Sequence, residues 1–370
     1  MQRSDVGDIL QKALSGTRLN REDGIRLFNS TDYAAIGACA DAIRQKINGK
    51  NAYYVVNRHI NYTDICKNQC KFCAYSKEES DNTGHLMSVE YAVKYAEAYW
   101  EELKFTELHI VGGLHPNLKI DYYISLLSQL KSKFPTVHLQ AFTAVEIAHF
   151  AQVSGLSINE TLVKLKDAGL GSMPGGGAEI FNPKVRDIIC PEKIPGDKWL
   201  EIMKIAHKLG IKSNATMLYG HVETAEDIID HLIKLRNLQD ETKGFMAFIP
   251  LKFHPENTKL SDIAKPMSSS EDLKLYSISR LMLDNFEHIK VFWIMLGVKL
   301  AQTALSYGVD DFDGTVVEEK ITHRAGALTP QALSVSDIKA LITEAGFEPI
   351  ERDTLYKRII RNETGMFTVS

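Results

Sequence analysis

The feature that most constrains this chain is an alternation. Short β-like runs recur between stretches of helical periodicity across the whole middle of the sequence. Strands are predicted at Tyr53–Val56, Glu107–Val111, Val137–Phe142, Gly171–Met173, Ser213–Leu218, Phe245–Leu251, Ile289–Leu296 and Thr303–Val309. Between the first two, Val89, Ala92, Val93, Ala96, Trp100 and Leu103 fall at helical spacing and form one apolar stripe. Strands alternating with helices argue for a parallel sheet, and eight such strands close a barrel. The expected fold is therefore α/β: a TIM-type (β/α) barrel over residues 51–329, eight-stranded. An N-terminal helical segment (1–50) precedes it, and a C-terminal helix and tail (330–370) pack on it. A doubly wound open sheet is the alternative, but no GxGxxG opens a helix after the first strand.

Charge narrows the partners. The 370 residues include 43 basic and 47 acidic side chains, a net −4, with no basic arm. Duplex nucleic acid, which needs a clustered positive surface, is not expected. The opening MQRSDVGDIL lacks an apolar stretch, so it does not read as a secretion signal. The longest strongly apolar run, Val291–Val298, falls well short of the roughly 20 residues of a membrane span. A cytoplasmic location with no membrane partner is expected.

Three of the five cysteines, Cys66, Cys70 and Cys73, fall in one CxxxCxxC just after the first predicted strand. So tight a cluster suits zinc, an iron–sulfur cluster, or coincidence. Structural zinc wants a fourth ligand, for which His59 or His85 is available. An iron–sulfur cluster normally takes four thiolates, so three leave one iron without a protein ligand. An open position marks a reactive metal site. Cys39 and Cys190 read as small buried apolar residues.

CxxxCxxC with Phe72 before its last cysteine resembles the signature of the radical S-adenosylmethionine (SAM) superfamily. The resemblance implies that Cys66, Cys70 and Cys73 hold a 4Fe–4S cluster whose fourth iron is chelated by SAM. It implies further that Gly112 and Gly113 bind the methionine part through backbone carbonyls. The backbone of Phe72 would touch adenine, and the Thr216, Leu218 and Gly220 segment would support it, with threonine at 216 where glycine is usual. Glu146 is a further candidate SAM contact. Over almost the whole chain, the segments GGLHP (112–116), FTAVEI (142–147), PGGGAEI (174–180), SNATMLYGH (213–221), LQDET (238–242), FIPL (248–251), FHPENT (253–258) and DFDGTVVEEK (311–320) resemble the aminofutalosine synthases, which adenosylate a substrate on the futalosine route to menaquinone.

That resemblance implies a radical SAM transferase. In it a 5′-deoxyadenosyl radical adds to the enol ether of 3-[(1-carboxyvinyl)oxy]benzoate. Aryl migration and decarboxylation then give 6-amino-6-deoxyfutalosine plus methionine, with SAM consumed as co-substrate. A substrate with two carboxylates calls for cationic or N–H donors at the strand ends. The candidates are Arg58, His59, His115, Arg186, His221, Lys252 and His254, with a possible backbone nest at Gly175, Gly176 and Gly177. No further catalytic residue is assigned. Lys67, Lys71 and Lys77 around the cysteine loop are candidates for docking a flavodoxin or ferredoxin as reductant. Two alternatives stand beside this reading: the cyclic dehypoxanthinylfutalosine synthase of the same pathway, and a non-catalytic iron–sulfur electron-transfer protein.

Overall fold

The computed structural model describes residues 4–363 and 365–369. The chain opens with helices Gly7–Leu14, Arg21–Asn29 and Tyr33–Asn48. The second is started by a capping box in which Asn20 and Asp23 each accept the other's backbone N–H. Strands β1 (Asn51–Val55), β2 (Asn57–Ile60), β3 (Glu107–Ile110), β4 (His138–Ala141), β5 (Ser172–Met173), β6 (Lys212–Tyr219), β7 (Phe245–Lys252) and β8 (His288–Ile289) follow, with helices between most of them. Then come β9 (Asp311–Gly314) and β10 (Glu348–Glu351).

Seven strands, β2 to β8 in sequence order, form one parallel sheet. It curls, and its two edges are joined by a segment that contains β9 yet meets the seven-stranded sheet only through isolated bridges. On one side, Val291 donates to the Asp311 carbonyl (2.9 Å) and Asp310 to that of Ile289 (3.1 Å). On the other, His59 donates to the Val317 carbonyl at 3.2 Å. Residues 310–317 thus fill the eighth place and complete the ring through single bridges.

Three strand expectations are corrected. The run Tyr53–Val56 is not a barrel stave. Its residues belong to β1, which pairs with β10 and β9 in a separate three-stranded parallel sheet, and the chain breaks at Val56 before β2 begins. The run Ile289–Leu296 is a strand only at its start. Trp293–Leu296 turns into a helix whose buried indole donates to the Gly314 carbonyl (2.9 Å). Thr303–Val309 is not a strand: helix Val298–Ala304 and a turn at Leu305–Tyr307 end at Gly308, whose φ is +93°. Among the described residues, no helix is long and apolar enough to cross a membrane.

Candidate active site

The loop after β2 carries the thiols and is pinned along its length. Cys66 donates its N–H to the Lys77 carbonyl (2.9 Å), Lys67 to Leu114 (2.9 Å), Lys71 to Ile189 (2.9 Å) and Cys73 to Cys70 (3.0 Å). Behind it, Gly113 is a forced glycine: a Cβ there would sit 2.3 Å from the Ile65 carbonyl oxygen and 3.0 Å from the Cys66 Cβ. The thiols themselves face a cavity of about 330 Å³ that runs into the barrel.

Those thiols are desolvated. Burial pushes Cys66 up and Cys70 up to about 12, so without a metal they stay protonated. Backbone N–H groups of Leu114 and Asn68 point at the Cys66 sulfur and favour its thiolate. Lys193 lies on the same wall, paired with Glu179, its ammonium 4.7 Å from the centre of the Phe72 ring. Burial alone would lower Lys193, but Glu179 and the nearby Cys70 and Cys190 hold it well above its ordinary value. A fixed positive charge beside the thiols suits a cluster of net negative charge. Cys66, Cys70 and Cys73 all border the cavity, so three thiols from one loop are presented to it.

The next wall is built by β3 and β4. Gly112 and Gly113 end β3 with their N–H groups committed, to Glu146 (3.1 Å) and to the Thr63 carbonyl (2.9 Å). Both residues line the cavity. Glu146 caps helix Ala144–Ser154 through the N–H of Thr143 (2.7 Å) and also accepts the Tyr62 hydroxyl at 2.8 Å. Burial raises its carboxyl to about 7, against those hydrogen bonds. Glu146 therefore holds the glycine turn in place as well as lining the cavity.

The third wall comes from the turn after β5 and from β6. Gly175 packs hard on β6, where a Cβ would lie 2.7 Å from the Thr216 Cγ2, and the Thr216 hydroxyl donates to the Gly175 carbonyl at 2.6 Å. Only Gly177 of the three glycines has positive φ (+90°). Their carbonyls are engaged: Gly176 by the Trp199 indole (3.2 Å) and Gly177 by Arg186 (3.4 Å). Phe72, Thr216, Leu218, Gly175, Gly176 and His254 all line the cavity. The His254 Nε2 faces the Met295 carbonyl at 2.8 Å.

Other candidates lie elsewhere. Arg58 points out of the barrel, between the rings of Tyr95 (4.2 Å) and Tyr99 (4.1 Å) with Glu318 at 2.9 Å. Successive strand residues face opposite ways, so with His59 inside Arg58 must be outside. Arg186 spends its guanidinium on the carbonyls of Ala178 (2.6 Å), Ile180 (3.1 Å) and Ile194 (2.6 Å), bracing the glycine turn rather than facing the cavity. His115 takes the Asn117 N–H at 3.2 Å, His221 is buried against Leu218 (3.0 Å) and Glu223 (2.8 Å), and Lys252 pairs with Asp272 (2.5 Å). Gly220, at φ +87°, gives its N–H to Glu223 (2.5 Å). None of these six borders the cavity.

Sequence reasoning missed the inward-facing polar residues of the staves: Asn57, Glu107, His109, Gln140, Asn214, Lys290 and Asp313. Alternation along β2 and β3 was the available signal, because Asn57 and His59 share one face of β2 and pair in register with Glu107 and His109 of β3.

A parallel ring whose first stave opens into three thiols, with a glycine turn next to them and a cavity beneath, defines a radical SAM enzyme. The radical SAM superfamily pattern matches residues 60–235, and the CofH/MqnC C-terminal region matches 242–364. An aminodeoxyfutalosine synthase of Streptomyces coelicolor is 45% identical, over 97% of this chain and 95% of that one. Its namesake from Thermus thermophilus is 42% identical, over 95% of each. A 5-amino-6-(D-ribitylamino)uracil--L-tyrosine 4-hydroxyphenyl transferase of Methanococcoides burtonii is also 42% identical, over 95% of this chain and 99% of that one. In fold, the methylornithine synthase PylB aligns with TM-score 0.72 over 92% of this chain and 97% of that one, at 17% identity. The chain belongs to the radical SAM superfamily, in the group that holds these synthases and transferases. The superfamily uses a 4Fe–4S cluster and SAM, and the thiols, the lysine beside them and the glycine wall fit both.

Proposed function

We propose that this enzyme adenosylates 3-[(1-carboxyvinyl)oxy]benzoate, forming 6-amino-6-deoxyfutalosine and methionine. The observation that carries the reading is the two-ended resemblance: full-length identity of 45% to an aminodeoxyfutalosine synthase, on a cavity that begins at three thiols and ends on polar staves. Cys66, Cys70 and Cys73 would hold the cluster, and Gly112, Gly113, Phe72, Thr216 and Leu218 would seat SAM. When bound, the cluster and SAM together supply a 5′-deoxyadenosyl radical for addition to the enol ether. The chain's own contribution is confinement: apolar Phe72, Leu218, Ile249, Leu251 and Phe292 border the cavity and keep water from a reactive carbon. The 330 Å³ enclosure holds the partners at contact distance rather than letting the radical abstract hydrogen from solvent.

The supporting cytoplasmic reductant is a flavodoxin or ferredoxin. Lys67 is exposed beside the cysteine loop and Lys71 is half-buried within it, whereas Lys77 is tied to Thr83 (2.6 Å) and Asp64 (3.5 Å). The docking charge is thus carried by Lys67 and Lys71.

The test is anaerobic reconstitution with SAM, dithionite and the enolpyruvyl benzoate, followed by mass spectrometry. Adenine in the product supports the synthase. Release of 5′-deoxyadenosine from a futalosine-type nucleoside supports the cyclase, and hydroxyphenyl transfer to the ribitylaminouracil supports the activity named for the M. burtonii relative. Iron and sulfide without any SAM cleavage would leave only an electron carrier.

A further inference from the structure

At the barrel floor, away from the thiols, three polar side chains border the cavity with hydrogen-bonding capacity left over. His59 is 7% exposed, Asn214 4% and Lys290 5%. Among the described residues the His59 imidazole has no hydrogen-bond partner. It lies against His109, ring centroids 4.6 Å apart and nearly parallel. Burial, then the neighbouring His109 and Lys290, push His59 well below its ordinary range, so the ring is neutral and retains one N–H donor. The Asn214 amide likewise has no partner among the described residues. Lys290 has three N–H groups and one contact, to Asp313 at 3.3 Å. All three border the cavity, so these donors are placed to bond to whatever occupies it.

The acidic groups nearby are otherwise engaged. Glu107 accepts from Asn57 (3.3 Å) and Thr354 (2.8 Å). Asp311, beneath, accepts from Arg352 (2.7 Å), Tyr356 (2.5 Å) and the Asp313 N–H (2.7 Å). Among the described residues the Asp313 carboxylate meets Lys290 alone, and burial raises it, opposing a further negative charge beside Glu107 and Asp311. His109 uses Nδ1 on Gln140 (3.0 Å). Among the described residues, Lys290 is the one cavity-lining lysine or arginine at this end, since Lys193 stands at the thiol end paired with Glu179.

We propose that His59, Asn214 and Lys290 form an anchor for the aryl carboxylate of the substrate. This rests on the functional reading above. The enol-ether carbon has to lie at the thiol end, where the adenosyl group is generated. The ring carboxylate is the opposite end of the molecule and reaches the floor, where Lys290 supplies the charge and His59 and Asn214 supply neutral N–H donors. The floor thereby selects an aryl acid over an aryl group that ends in hydrogen or hydroxyl, because an uncharged end leaves the lysine's N–H groups unpaired.

Binding to the reconstituted holoenzyme with SAM and no reductant, so that nothing turns over, tests the anchor. The probes are 3-[(1-carboxyvinyl)oxy]benzoate and the same enol ether without its ring carboxylate. Wild type is expected to prefer the full substrate by about thirtyfold, the order expected of a buried charge-assisted contact. Lys290→Met should lose that preference while binding the truncated ether as wild type does, and Lys290→Arg should restore part of it. Full preference retained in Lys290→Met overturns the anchor. Should that variant not fold, His59→Leu and Asn214→Ala decide, since unchanged preference in both overturns it equally. Wild type that makes the adenosylated product yet binds the two probes alike sinks the anchor alone. Wild type that binds neither probe and forms no adduct sinks the functional reading and the anchor with it.

Discussion

The Tyr62 hydroxyl donates to the Glu146 Oε1 at 2.8 Å, and the same oxygen accepts the Gly112 N–H at 3.1 Å. One buried carboxylate thus ties the stave that leads into the cysteine loop to the glycine turn beside it. Tyr62 also fills the space over Gly112, where an added Cβ would meet its ring at 2.7 Å.

Glu146→Gln is expected to keep the fold and weaken SAM binding, because an amide nitrogen cannot accept the N–H bonds that one carboxylate now takes. The carboxyl's raised value, about 7 against 4.5 for a free glutamate, also has a pH signature. The folded state holds this proton where the unfolded chain has lost it, so the group's contribution to stability falls as pH rises from about 4.5 to about 7 and is flat above. Over that window wild type should lose up to about 3 kcal/mol relative to Glu146→Gln. Denaturant melts of both proteins across pH 4.5–8 check this, and parallel curves would refute it.

Alanine at Cys66, Cys70 or Cys73 should abolish iron loading and turnover. Cys39→Ala should retain both, since Cys39 is fully buried in the N-terminal helices with its sulfur against the Leu10 carbonyl (3.6 Å). Iron and sulfide analysis with low-temperature EPR measures the outcome. Full iron content in Cys70→Ala would overturn the assignment.

Gly113→Ala puts a methyl 2.3 Å from the Ile65 carbonyl oxygen, a backbone atom that cannot swing aside. A destabilisation of about 1–3 kcal/mol and loss of cluster occupancy are expected. Thermal melting and iron content report both. A variant with wild-type iron and melting temperature would show that the loop yields freely.

Lys67→Glu with Lys71→Glu should slow turnover driven by flavodoxin and leave dithionite-driven turnover unchanged. Salt titration of the flavodoxin rate gives the second readout, flattening in the double variant. Equal slowing with both reductants would mean that the substitutions damage the site itself.

Much of this was legible in the sequence because its signals are local. CxxxCxxC needs no tertiary knowledge, and helices such as Val89–Glu97, started by the Ser88 side chain on the Tyr91 N–H (3.1 Å), follow from apolar spacing and a cap. What failed depends on context. Only Val56 separates β1 from β2, and the more polar β2 (Asn57–Ile60), which begins the barrel, lacks the apolar run that marks β1. The apolar run at 289–296 reads equally as strand or buried helix. Arg58 was assigned inward although parity with His59 forbids both. Asp313 was invisible because residues 310–317, which fill the eighth place, contain only the short β9 and are interrupted by Asp313 and Val316 at φ +67° and +47°.

That eighth segment has a mechanical consequence. From Asp313 at the floor the chain runs directly to Glu319, Ile321 and Thr322, which border the same cavity, and on to Arg324, fastened to Asp64 at 3.1 Å near the cysteine loop. Doorstep and cellar are consecutive stretches of a single rope. Both ends of the cavity are thus lined by one unbroken stretch of chain, and a deletion within it would disturb floor and mouth together.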